Sequence, residues 1–196
     1  MSSTASPAPA STPKRDRLLD VANRLFYRQG YHATGIDTIL AEAELAKMTL
    51  YHHFASKEEL IVAALERRSQ AIGGALAAAM QAAGSSPRKR LQALFDWHAE
   101  WFADRQFNGC AFMRAVGEYP ELKSPVHQAV RKHKQASRAR LEQLLSEMKL
   151  PGAAALAQQI QLLLEGAIAI AHTEGDPASI EAARTAAFEL IKAAER

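Results

Sequence analysis

Lys47, Met48, Thr49, Tyr51 and His52 form the cluster of side chains best suited to chemistry in this sequence. On an α-helix Lys47 and Tyr51 are four residues apart, as are Met48 and His52. Both pairs therefore share one outward side once Leu50 and Phe54 turn inward. A solvated helix face normally carries Glu and Lys. This mixture suits a helix lying in the major groove of DNA: Lys supplies charge, Tyr and His bond phosphates or base edges, and Thr and Met meet thymine methyls. Thr34 and Lys57 stand where two neighbouring helices are expected to begin, and exposed N–H groups at helix starts favour anions. Spacing alone is equally compatible with a small helical hairpin whose Tyr and His residues merely pack.

The elements that would position these residues are short. A first helix is predicted over residues 13–29, with Pro13 in its first turn and Gly30 as its stop. Its apolar stripe is Leu18, Val21, Ala22, Leu25 and Phe26. Thr34 followed by Asp37 resembles a capping box opening a second helix, with Ile36, Ile39, Leu40 and Ala43 facing inward. A third helix is expected over 46–53, anchored by Leu45, Leu50 and Phe54. Ser56-Lys57-Glu58-Glu59 is a capping box that opens a long fourth helix, which ends near Gly84-Ser85-Ser86-Pro87. Further helices are expected near 88–105, 109–117, 122–149, 152–173 and 177–195. The implied organisation is a disordered arm over 1–12, a helix-turn-helix domain over 13–56, a connecting helix over 57–84, and a larger helical domain over 85–196.

Bulk properties agree with an all-α protein. The chain has 196 residues, nearly half of them apolar, with helix-forming residues dominant. Its formal charge of +3 decides little. Placement says more: Lys14, Arg15, Arg17, Arg24, Arg28, Lys47 and Lys57 all precede residue 60. A second basic run, Arg131, Lys132, Lys134, Arg138 and Arg140, reads as a solvated helix face. One cysteine, Cys110, excludes an internal disulfide and points to a reducing compartment. The N-terminus lacks the apolar core of a secretory signal, and no run of about 18 consecutive apolar residues exists to span a membrane. Cytoplasmic location is expected. No nucleotide-binding, metal-ligand or Ser-His-Asp pattern appears, so neither an enzyme nor a cofactor is expected.

Residues from about Arg17 to Leu60 resemble the DNA-binding domain of the tetracycline-repressor (TetR) family of bacterial regulators. The resemblance rests on Leu25-Phe26, Gly30, Thr34, Ile36, Ile39, Ala43, Lys47, Thr49-Leu50-Tyr51, His53-Phe54 and Ser56-Lys57-Glu58-Glu59-Leu60. It implies that Tyr51 and Lys57 hold phosphates, while Lys47, Thr49 and His52 lie at or near base edges. Three positions depart from the family pattern. Glu44 replaces the usual turn glycine, Ala46 replaces a common capping serine, and Met48 replaces a small residue.

The resemblance also implies a double-stranded operator, a small-molecule effector bound among the middle helices, and a homodimer formed by the last two. Aromatic residues concentrate between Phe95 and Phe112, so Phe95, His98, Trp101, Phe102, Cys110, Phe112 and Met113 are the expected pocket residues. Their ring content suggests a largely apolar or aromatic ligand. The same spacing is also that of plain core. Leu156, Ile160, Leu163, Ala167, Ile168, Ala183, Ala187 and Leu190 are the expected dimer contacts; here too, core of one chain is the rival reading. Two other functions stay open: a helical interaction protein without specific DNA binding, and a redox-sensing regulator using Cys110 near a helix start.

Overall fold

The structure, a computed structural model, describes residues 13–195; the arm expected over 1–12 lies outside the described residues. Those residues form nine helices and no strand: α1 (Pro13–Gln29), α2 (Ile36–Ala43), α3 (Lys47–His53), α4 (Lys57–Ala82), α5 (Pro87–Ala103), α6 (Ala111–Glu118), α7 (Pro125–Glu147), α8 (Ala153–Glu174) and α9 (Ser179–Ala194). The fold is all-α, as expected. The chain divides into two compact units whose boundary falls between Ala64 and Leu65, inside α4.

In the first unit α1, α2 and α3 pack on one another through Leu18, Ala22, Phe26, Ile39, Leu50 and Phe54, all buried. The Arg15 guanidinium lies over the Phe54 ring, 5.2 Å from its centre. Gly30 ends α1 with φ of 93°, a conformation that favours glycine. The predicted cap at Thr34 is not formed. Gly35 is the N-cap of α2, and Thr34 is fully buried with its hydroxyl donating to the Gly30 carbonyl at 2.6 Å. Thr34 therefore locks the turn between α1 and α2, and its side chain is withdrawn from any DNA contact.

The next turn shows how a non-glycine residue is accommodated. Glu44 adopts φ 51° and ψ 46° at the end of α2. Its N–H donates to the Ala41 carbonyl at 3.2 Å, and the Leu45 N–H to the Leu40 carbonyl at 3.0 Å. These bonds satisfy carbonyls the helix would otherwise leave open. The Glu44 carboxylate accepts from Arg17 on α1, an exposed ion pair. Ala46 precedes α3 without a side-chain cap. At the start of α4 the Ser56 hydroxyl accepts from the Glu59 N–H at 3.1 Å. The Glu59 carboxylate accepts from the Ala55 N–H at 2.6 Å, one residue before the partner a capping box predicts.

The second unit is built on Leu91, Leu94, Phe95, Leu145, Ile160 and Ile191, buried where α5, α7, α8 and α9 meet. By length and composition α8 would suffice to cross a membrane; here it packs against both α7 and α9. That packing corrects part of the expected dimer face. Leu156, Ile160, Ala167, Ile168, Ala183 and Ala187 are all buried within the single chain, because the small residues of α9 let it approach α8 closely. Leu163 and Leu190 remain half-buried, and Leu162 and Ile170 are exposed. Within the same unit the His133 ring stacks on Phe112 with centres 3.5 Å apart and planes 3° from parallel. Its Nδ1 is 2.8 Å from the Ser69 hydroxyl.

At Glu44 the left-handed backbone costs a non-glycine residue about 1–2 kcal/mol, most for a β-branched one. In urea unfolding, Glu44→Gly should change stability by less than about 1 kcal/mol, since relief of strain is offset by the lost exposed pair and a freer unfolded chain. Glu44→Val should lower stability by about 1 kcal/mol or more; equal stability of the Val and Gly variants would contradict the turn geometry. For His133, burial, followed by the charges of Lys134 and Arg140, pushes the pKa down from 6.5 to about 4. The unfolded chain then binds a proton that the folded one refuses, so stability is full above pH 6.5 and is lost as pH falls toward 4. The loss per proton is at most about 1.4 kcal/mol per pH unit. His133→Gln should flatten that slope, and an unchanged slope would show that His133 is not held neutral.

Candidate functional site

The side chains of α3 are sorted by what Leu50 and Phe54 do. Those two are 0% and 2% exposed, which fixes the rotation of the helix about its axis. Met48 is then 82% exposed and Tyr51 47%, with Lys47 and His52 also exposed and Thr49 half-buried at the margin. Lys47 Nζ lies 3.5 Å from the Asp37 carboxylate, a contact between two exposed groups that contributes little. Lys57, in the first turn of α4, donates to the His32 carbonyl at 3.2 Å. A shallow groove runs past Met48, Thr49 and His52 and takes in Pro13 and Lys14 from the start of α1. His53 also lines this groove, and its pKa is lowered by partial burial first, then by His52, Arg15 and Lys14. Lys14, in the first turn of α1, and Lys47, at the start of α3, place positive charge along this edge. Of the seven residues predicted to meet DNA, all but Thr34 reach the surface of the first unit.

In the second unit, a partly open cavity of about 80 Å³ lies between α4, α5, α7, α8 and the start of α6. Trp97, Trp101, Phe112 and Leu164 supply apolar walls. His98, 9% exposed, donates from Nδ1 to the Leu94 carbonyl at 2.7 Å, leaving Nε2 as an acceptor. Burial holds its pKa below the ordinary histidine value. Lys134 Nζ is 2.7 Å from the Glu165 carboxylate and 3.5 Å from Cys110 Sγ. Arg68, Ser137, Arg140 and Gln161 complete the polar lining.

Of the predicted pocket residues, His98, Trp101, Cys110 and Phe112 line this space. Phe95 and Phe102 do not. Both are buried in the core, Phe95 beside Phe188 and under the Arg184 guanidinium, Phe102 against Phe107. Met113 is 53% exposed and borders a separate surface groove with Asn108 and His172. The aromatic cluster is thus partly core and partly wall. Not foreseen from the sequence are Arg68, Gln161 and Glu165, and the inward side of α7. His133, Lys134, Ser137, Arg140 and Leu141 recur at helical spacing and continue the buried stripe of Leu144 and Leu145. The basic run expected to be solvated is divided: Arg131, Lys132 and Arg138 are exposed, whereas Lys134 and Arg140 turn toward the cavity. Among the described residues no three His, Cys, Asp or Glu side chains are grouped as metal ligands.

Two family descriptions cover most of the chain: bacterial regulatory proteins of the tetR family over residues 18–64, and the tetracyclin repressor-like C-terminal domain over 87–187. A TetR-family transcriptional regulator from Streptomyces coelicolor has a similar structure, with a TM-score of 0.86 and 32% identity, covering 96% of this chain and 93% of that one. The reduced form of Escherichia coli NemR gives a TM-score of 0.83 at 26% identity, covering 90% and 95% of the two chains. The HTH-type transcriptional regulator YjdC of Escherichia coli (strain K12) is 24% identical over 91% of this chain and 94% of its own. These relatives are regulators rather than enzymes. With its helix-turn-helix and its helical C-terminal domain both matched, the chain belongs to the TetR family of DNA-binding transcriptional regulators.

Proposed function

We propose that the protein is an effector-released repressor that works as a cytoplasmic homodimer. Each protomer lays α3 in the major groove of one half-site of a palindromic operator. Lys47, Thr49, Met48 and His52 reach base edges there, while Tyr51 and Lys57 hold phosphates on either side. The observation that carries this reading is the rotation of α3, which buries Leu50 and leaves Lys47, Met48, Tyr51 and His52 outside. Dimerisation is assigned to the outer faces of α8 and α9, where Leu162, Leu163 and Leu190 border an apolar surface groove. The effector, a small and largely apolar or aromatic molecule, occupies the cavity behind Trp97 and Trp101. At about 80 Å³ the space is below the roughly 150 Å³ of a cavity that admits benzene, so a ring-sized guest must move the walls. One wall is α4, through Ile72 and Leu76. A shift of α4 would change the spacing of the two reading heads, a redistribution between dimer geometries that match or mismatch the operator.

A second reading is favoured by one contact. Cys110 Sγ sits 3.5 Å from the Lys134 ammonium at the start of α6, so oxidation of the thiol would disturb the cavity wall directly. A Cys110→Ser variant that no longer responds to peroxide, but still responds to effector, separates the two signals.

Binding to a duplex from the protein's own promoter, measured across salt, tests the repressor reading. A specific complex should weaken steeply with salt, by about 0.9 in log affinity per log salt for each phosphate neutralised. Lys57→Ala should reduce that slope by about one and weaken all sequences alike. Tyr51→Ala should weaken binding with the fold intact. A protein with no preference for any promoter fragment, and no effect from either variant, would be an interaction protein without operator binding.

A further inference from the structure

Three basic side chains of α7 line the cavity, each half-buried, and each has different company. His133 gives up its proton: it is stacked on Phe112, and burial lowers its pKa. Lys134 is neutralised by Glu165 at 2.7 Å. Arg140, half-buried, has no such partner. A guanidinium keeps its proton in a protein, and among the described residues Arg140 has no carboxylate or hydrogen-bond acceptor. Its position is also prepared. A Cβ at Gly73 would lie 3.1 Å from Arg140 Nη2, so the glycine lets the guanidinium rest close against α4. Glycine inside a helix is otherwise destabilising. Ser137, one turn earlier on α7, faces the same space with its hydroxyl unpartnered among the described residues. At the α5 side, His98 Nε2 has no partner, because Nδ1 is committed to Leu94.

We propose that the cavity takes a small organic acid, its carboxylate held by Arg140 and Ser137 and its apolar part lying against Trp97, Trp101 and Phe112. This rests on the cavity being the effector site. An arginine presented to a planar carboxylate makes two parallel charge-assisted bonds, and the low dielectric of an aromatic-lined space strengthens them. A neutral amide of the same shape cannot accept them with charge. His98 Nε2 accepts a hydrogen bond, so acids that also carry a hydroxyl are preferred over those without one.

Trp97 and Trp101 are the chain's two tryptophans and both line the cavity, so intrinsic fluorescence reports occupancy. The full-length protein is titrated with two acid–amide pairs, benzoate with benzamide and hexanoate with hexanamide. At least one acid should bind about tenfold or more tightly than its amide. Arg140→Gln should reduce that acid to the level of the amide and leave the amide unchanged. The guanidinium is half-buried with no bonded partner among the described residues, so the melting temperature should change little, and the acid–amide comparison in the unaltered protein stands without the variant. Amides that bind as well as acids would overturn the acid assignment while leaving the cavity an effector site. A fluorescence signal untouched by all four compounds would overturn both.

Discussion

The burial of Leu50 and Phe54 is the contact on which the first unit's function turns. A seven-residue helix such as α3 has little propensity to form alone and almost no surface to bury. Leu50 and Phe54 give it a place in the core formed by α1 and α2, and in doing so they set its rotation. Every exposed position follows from that setting. Turned by one residue, α3 would bury Tyr51 and expose Leu50. The Thr34 hydroxyl, the Glu44 turn and the Ser56 cap then hold the three segments at the angles this packing needs.

The second unit applies an opposite economy of charge. Its core is apolar across α5, α7, α8 and α9, yet α7 turns His133, Lys134 and Arg140 toward the space beside it. Such residues destabilise an interior unless each charge is removed, paired or hydrated. Their presence on an otherwise apolar stripe is what sets this space apart from the rest of the unit's core. α4 connects this chemistry to the reading head by sequence alone: its first turns, to Ala64, belong to the first unit, and the rest supplies Ile72 and Leu76 to the cavity wall.

Much of this was legible in the residues. Pro13 and Gly30 mark the bounds of α1, and Ser56 opens α4, because proline, glycine and capping hydroxyls act locally. The outward set on α3 was legible because its apolar anchors were. Other positions depend on which partner the folded chain brings within reach, near or far in sequence. Thr34 looks like a cap until the Gly30 carbonyl comes within reach. Phe95 and Phe102 share a helix with His98 and Trp101, but Phe188 and Phe107 fill the space around them. The stripes of α8 and α9 could pair within a chain or between chains, and only their mutual packing decides. Lys134 and Arg140 were read by charge, although their spacing with Leu141 and Leu144 already placed them on the buried side of α7.

Whether the α3 face set by Leu50 reads base sequence is decided at Met48 and Thr49. The most direct measurement compares the unaltered protein with Met48→Ala and Thr49→Ala on a set of operator duplexes carrying every single-base change. If α3 lies in the major groove, each variant loses discrimination at one or two adjacent base pairs in each half-site, with the salt dependence unchanged. Uniform weakening on all duplexes, with no position losing its preference, would mean that this face does not read the bases.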